Sequence, residues 1–233
     1  MTRRLWARMI RCAFWVLYNP LARIYDWVSW AVSLGHWREW QRAALPELRG
    51  RQVLELAFGT GDLLLDLHKA GYHPTGIDLS PAMGRFVQRK LAKVGLALPL
   101  VRGRAQQLPF AGASFDSVLC TFPAEFIASA ETLHQIARVL CPEGRAVIVA
   151  MGKLVSNDPW ARLLEWLYRI TGQRGPLPDL RPTLELLGLK HRAMWVRVGS
   201  SEALLIVIEK KVDVSRALEY TGTYPDVTLY TTR

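Results

Sequence analysis

Four residues in one short span could do chemistry together: Glu55, Gly59, Gly61 and Asp78. They sit in "VLELAFGTGDLLLDL", Val53 to Leu67, and in "GIDLSPAM", which follows. An apolar run carrying one acid breaks at two glycines spaced by one residue, then resumes with a helical beat. Glycine lets backbone approach a ligand closely, and a helix that begins just beyond aims its N-terminal N–H groups at it. The plainer alternative is a tight turn that needs glycine only for its own conformation. Asp78, nineteen positions after Gly59, favours the ligand. A carboxylate ending the next strand can accept both hydroxyls of a ribose. A dinucleotide fits less well, because its G-x-G-x-x-G pattern has Leu64 at the third position. Glu55, aimed at the turn, also disfavours pyrophosphate and suits a cationic amino group. The ligand therefore reads as a nucleoside with a charged amino-acid end.

These residues need a strand–turn–helix to hold them, and the flanking pattern supplies one. Val53–Ala57 reads as a strand and Asp62–Lys69 as a helix with Leu63, Leu64 and Leu67 on one side. Thr75–Asp78 is a second strand. Ser80-Pro81 caps a helix that runs to about Val94. Strands follow at Leu98–Arg102, Ser117–Phe122 and Arg145–Ala150, with a helix from Glu125 to Leu140 ended by "PEG", Pro142 to Gly144. Asp158-Pro159 opens another helix, with Trp160, Leu163, Leu164, Leu167 and Thr171 on one face, and a short helix covers Thr183–Leu187. "HRAMWVRV" and "ALLIVIEK", split by Gly199-Ser200-Ser201, read as an antiparallel hairpin. Alternating strands and helices predict an α/β fold, a parallel sheet covered on both faces with an antiparallel edge. Ligands of such sheets bind beyond the carboxyl ends of the strands.

The chain has 233 residues, half of them hydrophobic, and a net charge of +10. It can bury a sizeable core, and its charge favours an acidic partner: nucleic acid, an anionic membrane or a phosphate-bearing ligand. Cys12, Cys120 and Cys141 are far apart and show no metal spacing, so buried thiols in a reducing compartment are expected. No apolar run is long enough to span a bilayer, and the N-terminal apolar stretch is interrupted by Arg8 and Arg11. A cytoplasmic location follows, with membrane association as an addition. Six of nine tryptophans fall in residues 1–48. Wound as a helix, Arg4, Arg8 and Arg11 share one narrow side, opposite Leu5, Trp6, Met9, Ile10, Ala13 and Leu17. That is the pattern of an interfacial helix, or of one packed on its own core with its arginines in water.

"VLELAFGTGDL", "GIDLSPAM", "AQQLPFAGASFDSVLCTF" and "ARVLCPEGRAVIV" resemble, in order and spacing, the motifs of class I S-adenosylmethionine-dependent methyltransferases, over residues 50 to 150. "YDWVSWAVSLGHWREW", Tyr25 to Trp40, resembles the lead-in of the ubiquinone/menaquinone-biosynthesis C-methyltransferases. The resemblance implies a Rossmann-like, seven-stranded sheet with an antiparallel last strand, and S-adenosyl-L-methionine as cofactor. The chain is expected to divide into a helical extension over 1–48, a cofactor-binding domain over 49–212 and a tail over 213–233. By position, Glu55, Ala57, Gly59 and Gly61 would line the methionine part and Asp78 would hold the ribose. Leu79, Met83, Ala105 and Gln106 would surround the adenine, and Thr121 and Phe122 would face the sulfonium. Three positions depart from the pattern. Ala57 stands for the first glycine of the turn, a small replacement expected to cost little. Arg104 replaces an acid or amide and cannot accept a bond from the adenine amine. "FPAEFI", Phe122 to Ile127, replaces an Asn/Arg-containing motif of the quinone enzymes.

The expected activity is in-line methyl transfer to a small hydrophobic or lipid-like acceptor. The alternatives are a nucleic-acid methyltransferase and a non-catalytic cofactor-binding module at a membrane. Glu125, just after the fourth strand, is the candidate base, with His36 and Tyr25 behind it, while His134 reads as surface. Trp160 and Trp166 would line an acceptor pocket or pack in the core.

Overall fold

The computed structural model describes residue 30 and residues 32–155, 158–170 and 178–210. Seven strands form one sheet: β1 (Gln52–Leu56), β2 (His73–Asp78), β3 (Leu100–Arg102), β4 (Phe115–Thr121), β5 (Leu140–Leu154), β6 (Lys190–Val198) and β7 (Ser201–Glu209). Their order is β3-β2-β1-β4-β5-β7-β6. The first five run parallel, and β7 lies antiparallel to both β5 and β6. The order reverses between β1 and β4, so a crevice opens beyond their carboxyl ends.

Helices cover both faces: α1 (Trp37–Arg42), α2 (Asp62–Lys69), α3 (Pro81–Lys93), α4 (Ala130–Val139), α5 (Pro159–Ile170) and α6 (Arg181–Leu186). Strands buried on both sides carry near-continuous apolar runs, and successive side chains divide between two cores. Leu54, Leu56, Val118 and Ile148 meet Leu133 and Ile136 of α4 on one face. Val53, Leu119, Val147 and Val149 meet Trp40 of α1 and Leu63 and Leu67 of α2 on the other. Ser80 caps α3 as expected, its Oγ accepting from the Met83 amide at 3.3 Å.

The stretch after β4 departs from expectation. One helix is expected from Glu125 to Leu140. Instead a 3-10 turn spans Glu125–Ala128, and α4 begins afresh where Ser129 Oγ accepts from the Thr132 amide at 3.2 Å. "PEG" does not end a helix but lies inside β5, which starts at Leu140 because Leu140 pairs with Phe115. The extra residues are absorbed by a register shift, with Glu143 at a positive φ of 61°. β5 also runs on past Ala150, held by β7 alone. The cysteines divide: Cys120 is buried, Cys141 is half-buried on β5, and Cys12 lies outside the described residues.

Residues 37–47 pack into the sheet's core. Trp40 is 2% exposed, and its indole N–H donates to Ser201 Oγ at 2.8 Å. The ring lies flat on Gly152 of β5, where a Cβ would come within 2.2 Å of it. Arg38 and Arg42 each donate two hydrogen bonds to the single carboxylate of Asp66 on α2, at 2.7–2.9 Å. Glu47, at the end of the next turn, pairs with Arg145 and Arg192. The interfacial pattern of residues 4–17 and the tail from 213 lie outside the described residues. Among the described residues no helix is long and apolar enough to cross a membrane.

Candidate functional site

The two glycines of the turn answer to different needs. Gly59 has a φ of +53°, and a Cβ placed on it would meet nothing within 4 Å: its open side faces the crevice. Gly61, at φ +71°, would drive a Cβ to 2.7 Å from Val87, so it is required for the close packing of α2 on α3. Ala57 is also left-handed, at φ +57°. The small replacement is therefore a strained one, since a Cβ in that region costs about 1–2 kcal/mol.

Asp78 ties this turn to the next. Its Oδ2 accepts from the Gly59 amide at 3.0 Å and its Oδ1 from the Ser80 amide at 2.8 Å. Burial pushes the carboxyl up, and the backbone N–H groups pull it back. A carboxylate offers about four acceptor positions, so these backbone bonds leave capacity for a ligand. Glu55 is 1% exposed, and its Oε2 has no hydrogen-bond partner. Burial first, then the charges of Asp78, Asp62 and Asp66, hold its carboxyl well above the usual range. A buried acceptor without a donor is costly. With three other acids acting on it, this one favours its protonated form.

The crevice holds a cavity of about 760 Å³. Ala57, Phe58, Gly59 and Thr60 form its floor, and Asp78, Leu79 and Ser80 one wall. Thr121, Phe122, Pro123 and Phe126 form the far wall, roofed by Trp30, Trp37, Arg38 and Gln41. A smaller cavity of about 320 Å³ shares Ala57, Asp78, Leu79 and Phe126 and extends between Arg104, Ala105 and Gln106. Trp37 stacks on Phe122 at 4.1 Å between ring centroids. Gln41 donates to Thr121 Oγ1 at 3.0 Å. Phe122 sits at φ +48°, a strained conformation at the mouth of β4.

Most of the expected residues thus converge. Ala57, Gly59, Asp78, Leu79, Thr121 and Phe122 line the main cavity, and Ala105 and Gln106 the smaller one. Four do not line either. Glu55 is buried, 1% exposed, and reaches neither cavity. Gly61 lies behind the turn. Met83 is buried in a core with Phe58, Val87 and Leu91, because the Ser80 cap winds it inward; Ser80 and Pro81 take the wall in its place. Glu125 is exposed, while its neighbours Ala124 and Phe126 line the cavity, so the candidate base is not held where it could serve.

The secondary candidates also lie elsewhere. His36 bonds Glu39 and Ser200, His134 is exposed on α4 as expected, and Tyr25 lies outside the described residues. Trp160 and Trp166 line neither of these two cavities; they are 67% and 52% exposed, because α5 docks through Ala161 on its other side. Sequence reasoning missed the roof formed by Trp37, Arg38 and Gln41. The lead-in resemblance at Tyr25 to Trp40 was the only signal pointing there.

Comparison with known proteins agrees with this geometry. Residues 53–144 match the family model described as a methyltransferase domain. A demethylmenaquinone methyltransferase of Beutenbergia cavernae is 36% identical over 149 residues, covering 62% of this chain and 59% of the relative. Another, of Deinococcus radiodurans, is 34% identical over 139 residues, covering 57% and 58%. The chain thus spans about three fifths of the length of these curated relatives. In fold it resembles the geranyl diphosphate C-methyltransferase of Streptomyces coelicolor, solved with S-adenosyl-L-homocysteine, with a TM-score of 0.55 at 13% identity over 74% of this chain and 79% of that one. With the strand order and the glycine turn at its reversal, these matches make residues 53–144 similar to a methyltransferase domain of Rossmann-like fold.

Proposed function

We propose that the chain is an S-adenosylmethionine-dependent methyltransferase acting on a small, hydrophobic, quinone-like acceptor. The observation that carries this reading is the shape of the main cavity. It runs from the open side of Gly59 and the Asp78 carboxylate to an aromatic chamber of Trp37, Phe122 and Phe126. One end suits a nucleoside, and the other a flat apolar ring.

The residues present fit the cofactor. Asp78 accepts the ribose hydroxyls with its remaining lone pairs. Leu79, Ala105 and Gln106 border the adenine, and Arg104 offers it a guanidinium plane rather than an acceptor. The unpartnered Glu55 Oε2 supplies the negative charge for an amino group beneath the floor of the turn. Ala57 and Gly59 allow close approach. Bound there, S-adenosylmethionine supplies an activated methyl group on a sulfonium. The chain's own part is alignment and exclusion of water. Gln41 fixes the Thr121 hydroxyl, and the Trp37–Phe122 stack closes the chamber in which the acceptor ring lies. No base is assigned, since in-line transfer needs one only when the acceptor atom still carries a proton.

The demethylmenaquinone methyltransferases among the relatives support the acceptor class. Incubation with methyl-labelled cofactor and a short-chain demethylmenaquinone should place label in the organic phase. Label in a nucleic-acid fraction instead would overturn the acceptor. Failure to bind S-adenosylhomocysteine in a calorimeter would overturn the whole reading.

A further inference from the structure

We infer that the outer face of α5 is a docking surface for an anionic lipid bilayer, placed so that the cavity's mouth meets the membrane. The helix is held from one side. Ala161 is buried against the sheet, Glu165 accepts from the Leu154 amide at 2.8 Å, and Tyr168 Oη donates to the Val32 carbonyl at 2.5 Å. The opposite side presents Trp160, Leu163, Trp166 and Leu167 to solvent. At 100° per residue these four fall within an arc of about 120°. Exposed apolar stripes of this kind mark interaction surfaces rather than folding errors.

The charges select the occupant. Arg162 and Arg169 are exposed at one edge of the arc, between the apolar face and the docked side. Glu165 is turned toward β5. Asp158 stands at the helix N-terminus, where its Oδ2 accepts from the Ala161 amide at 3.4 Å. Apart from the half-buried Glu165, whose Oε1 is engaged by the Leu154 amide, the body of the helix carries only positive charge beside two indoles and two leucines. Tryptophan rings and arginine stems with wet ends match the headgroup boundary of a bilayer, and anionic headgroups match the arginines.

The location adds a second argument. α5 follows the carboxyl end of β5, the end of the sheet where the cavity opens. The Tyr168–Val32 bond ties it to the segment that carries Trp30 and Gly35, both on the cavity wall. Trp30 is itself 60% exposed, and Leu34 is exposed beside it. A bilayer on α5 would place the mouth where an apolar acceptor partitions. That last step rests on the proposed acceptor; the docking does not.

Flotation of the full chain with vesicles of phosphatidylcholine, with and without phosphatidylglycerol, tests the surface. Binding should require phosphatidylglycerol. Trp160→Glu with Trp166→Glu should weaken it at least tenfold while leaving the thermal midpoint unchanged, since both side chains are exposed. Arg162→Gln and Arg169→Gln should each weaken it about fivefold. An environment-sensitive dye on Leu163→Cys, with Cys12 and Cys141 replaced by serine, should shift to the blue on vesicles and be quenched by a quencher carried in the lipid.

A chain that does not float overturns the proposal. So does one that floats with the dye unmoved, because another segment then docks. So does a dye shielded before vesicles are added with a dimer in the ultracentrifuge, because a second copy then covers the face. Methylation of a water-soluble acceptor without vesicles should be equal in the Trp160→Glu/Trp166→Glu variant and the parent. Absence of that activity in both would count against the acceptor and leave the docking result standing.

Discussion

At the glycine-turn end of the cavity, hydrogen bonds join neighbours in the chain: Gly59 with Asp78, 19 residues apart, and Asp78 with Ser80. At the aromatic end they join distant residues: Gln41 with Thr121, 80 apart, and Trp40 with Ser201, 161 apart. The first end is made by two adjacent strand–turn–helix units. The second depends on α1, six residues long, which is too short to be stable alone. It holds its shape because Trp40 is sunk into the sheet and two arginines clamp Asp66. The proposed cofactor contacts would therefore be framed by local turn chemistry, and the proposed acceptor contacts by tertiary docking. Damage to one end should leave the other largely intact.

Trp40→Ala gives the largest test. Emptying a buried indole site should cost about 3–5 kcal/mol of folding stability, read as a lowered urea midpoint. Under conditions where the variant is folded, S-adenosylhomocysteine should bind within about threefold of the parent. A large loss of that affinity would show that the two ends are not separable. Asp78→Ala is the converse. Removing a charged acceptor should weaken S-adenosylhomocysteine by about 1.5–3 kcal/mol in a calorimeter. Unchanged affinity would remove Asp78 from the site.

The same division explains what could be read in advance. Strand–turn–helix periodicity, the Ser80 cap and the spacing of Gly59 to Asp78 are local signals, and the sheet and the cofactor end followed from them. Trp37, Arg38 and Gln41 carry no local mark of function. Arg38 and Arg42 pair with an aspartate far along the chain, and Gly152 reads as an ordinary strand glycine until Trp40 lies on it. Met83 and Glu125 fail for a related reason. Each stands next to cavity-lining stretches of the chain, but the direction of its side chain depends on a cap for Met83 and on a 3-10 turn for Glu125. The face of α5 was misread because helical periodicity shows that an apolar stripe exists, not which side the sheet occupies.

The clamp gives the next largest effect. Burial alone would raise the Asp66 carboxyl, but Arg42 and Arg38 outweigh it and hold it well below the usual carboxylate range. A carboxyl depressed in the folded state contributes stability above its unfolded pKa, near 4, and loses it as pH falls. Asp66→Asn should therefore cost about 1–2 kcal/mol at pH 7, the modest figure reflecting half-exposed guanidiniums. The difference from the parent should shrink below about pH 4. A pH-independent difference would mean that Asp66 acts through packing alone.

At the proposed cofactor end, burial first and then Asp78, Asp62 and Asp66 raise the Glu55 carboxyl, so it keeps its proton into the pH range where a free carboxyl is ionised. The proposed orientation brings a cationic amino group to it and so expels the proton. S-adenosylhomocysteine affinity should then rise with pH toward the raised pKa, by less than tenfold per unit. Glu55→Gln should flatten that slope. Equal slopes in both proteins would detach Glu55 from the ligand.

Ala57→Gly is the smallest change. The left-handed backbone at φ +57° costs a Cβ about 1–2 kcal/mol. Glycine gives back about 0.4–1 kcal/mol through its freer unfolded chain. The net expectation is a gain of about 0.5 kcal/mol, visible as a small rise in urea midpoint. Because Ala57 lines both parts of the cavity, the same variant asks whether the strained methyl is used. A stabler protein that binds S-adenosylhomocysteine less tightly would mean that the methyl helps form the wall between ribose and acceptor chamber. A stabler protein with equal affinity would mean that the turn tolerates alanine without using it, and the local frame would then owe its shape to Gly59, Gly61 and Asp78 alone.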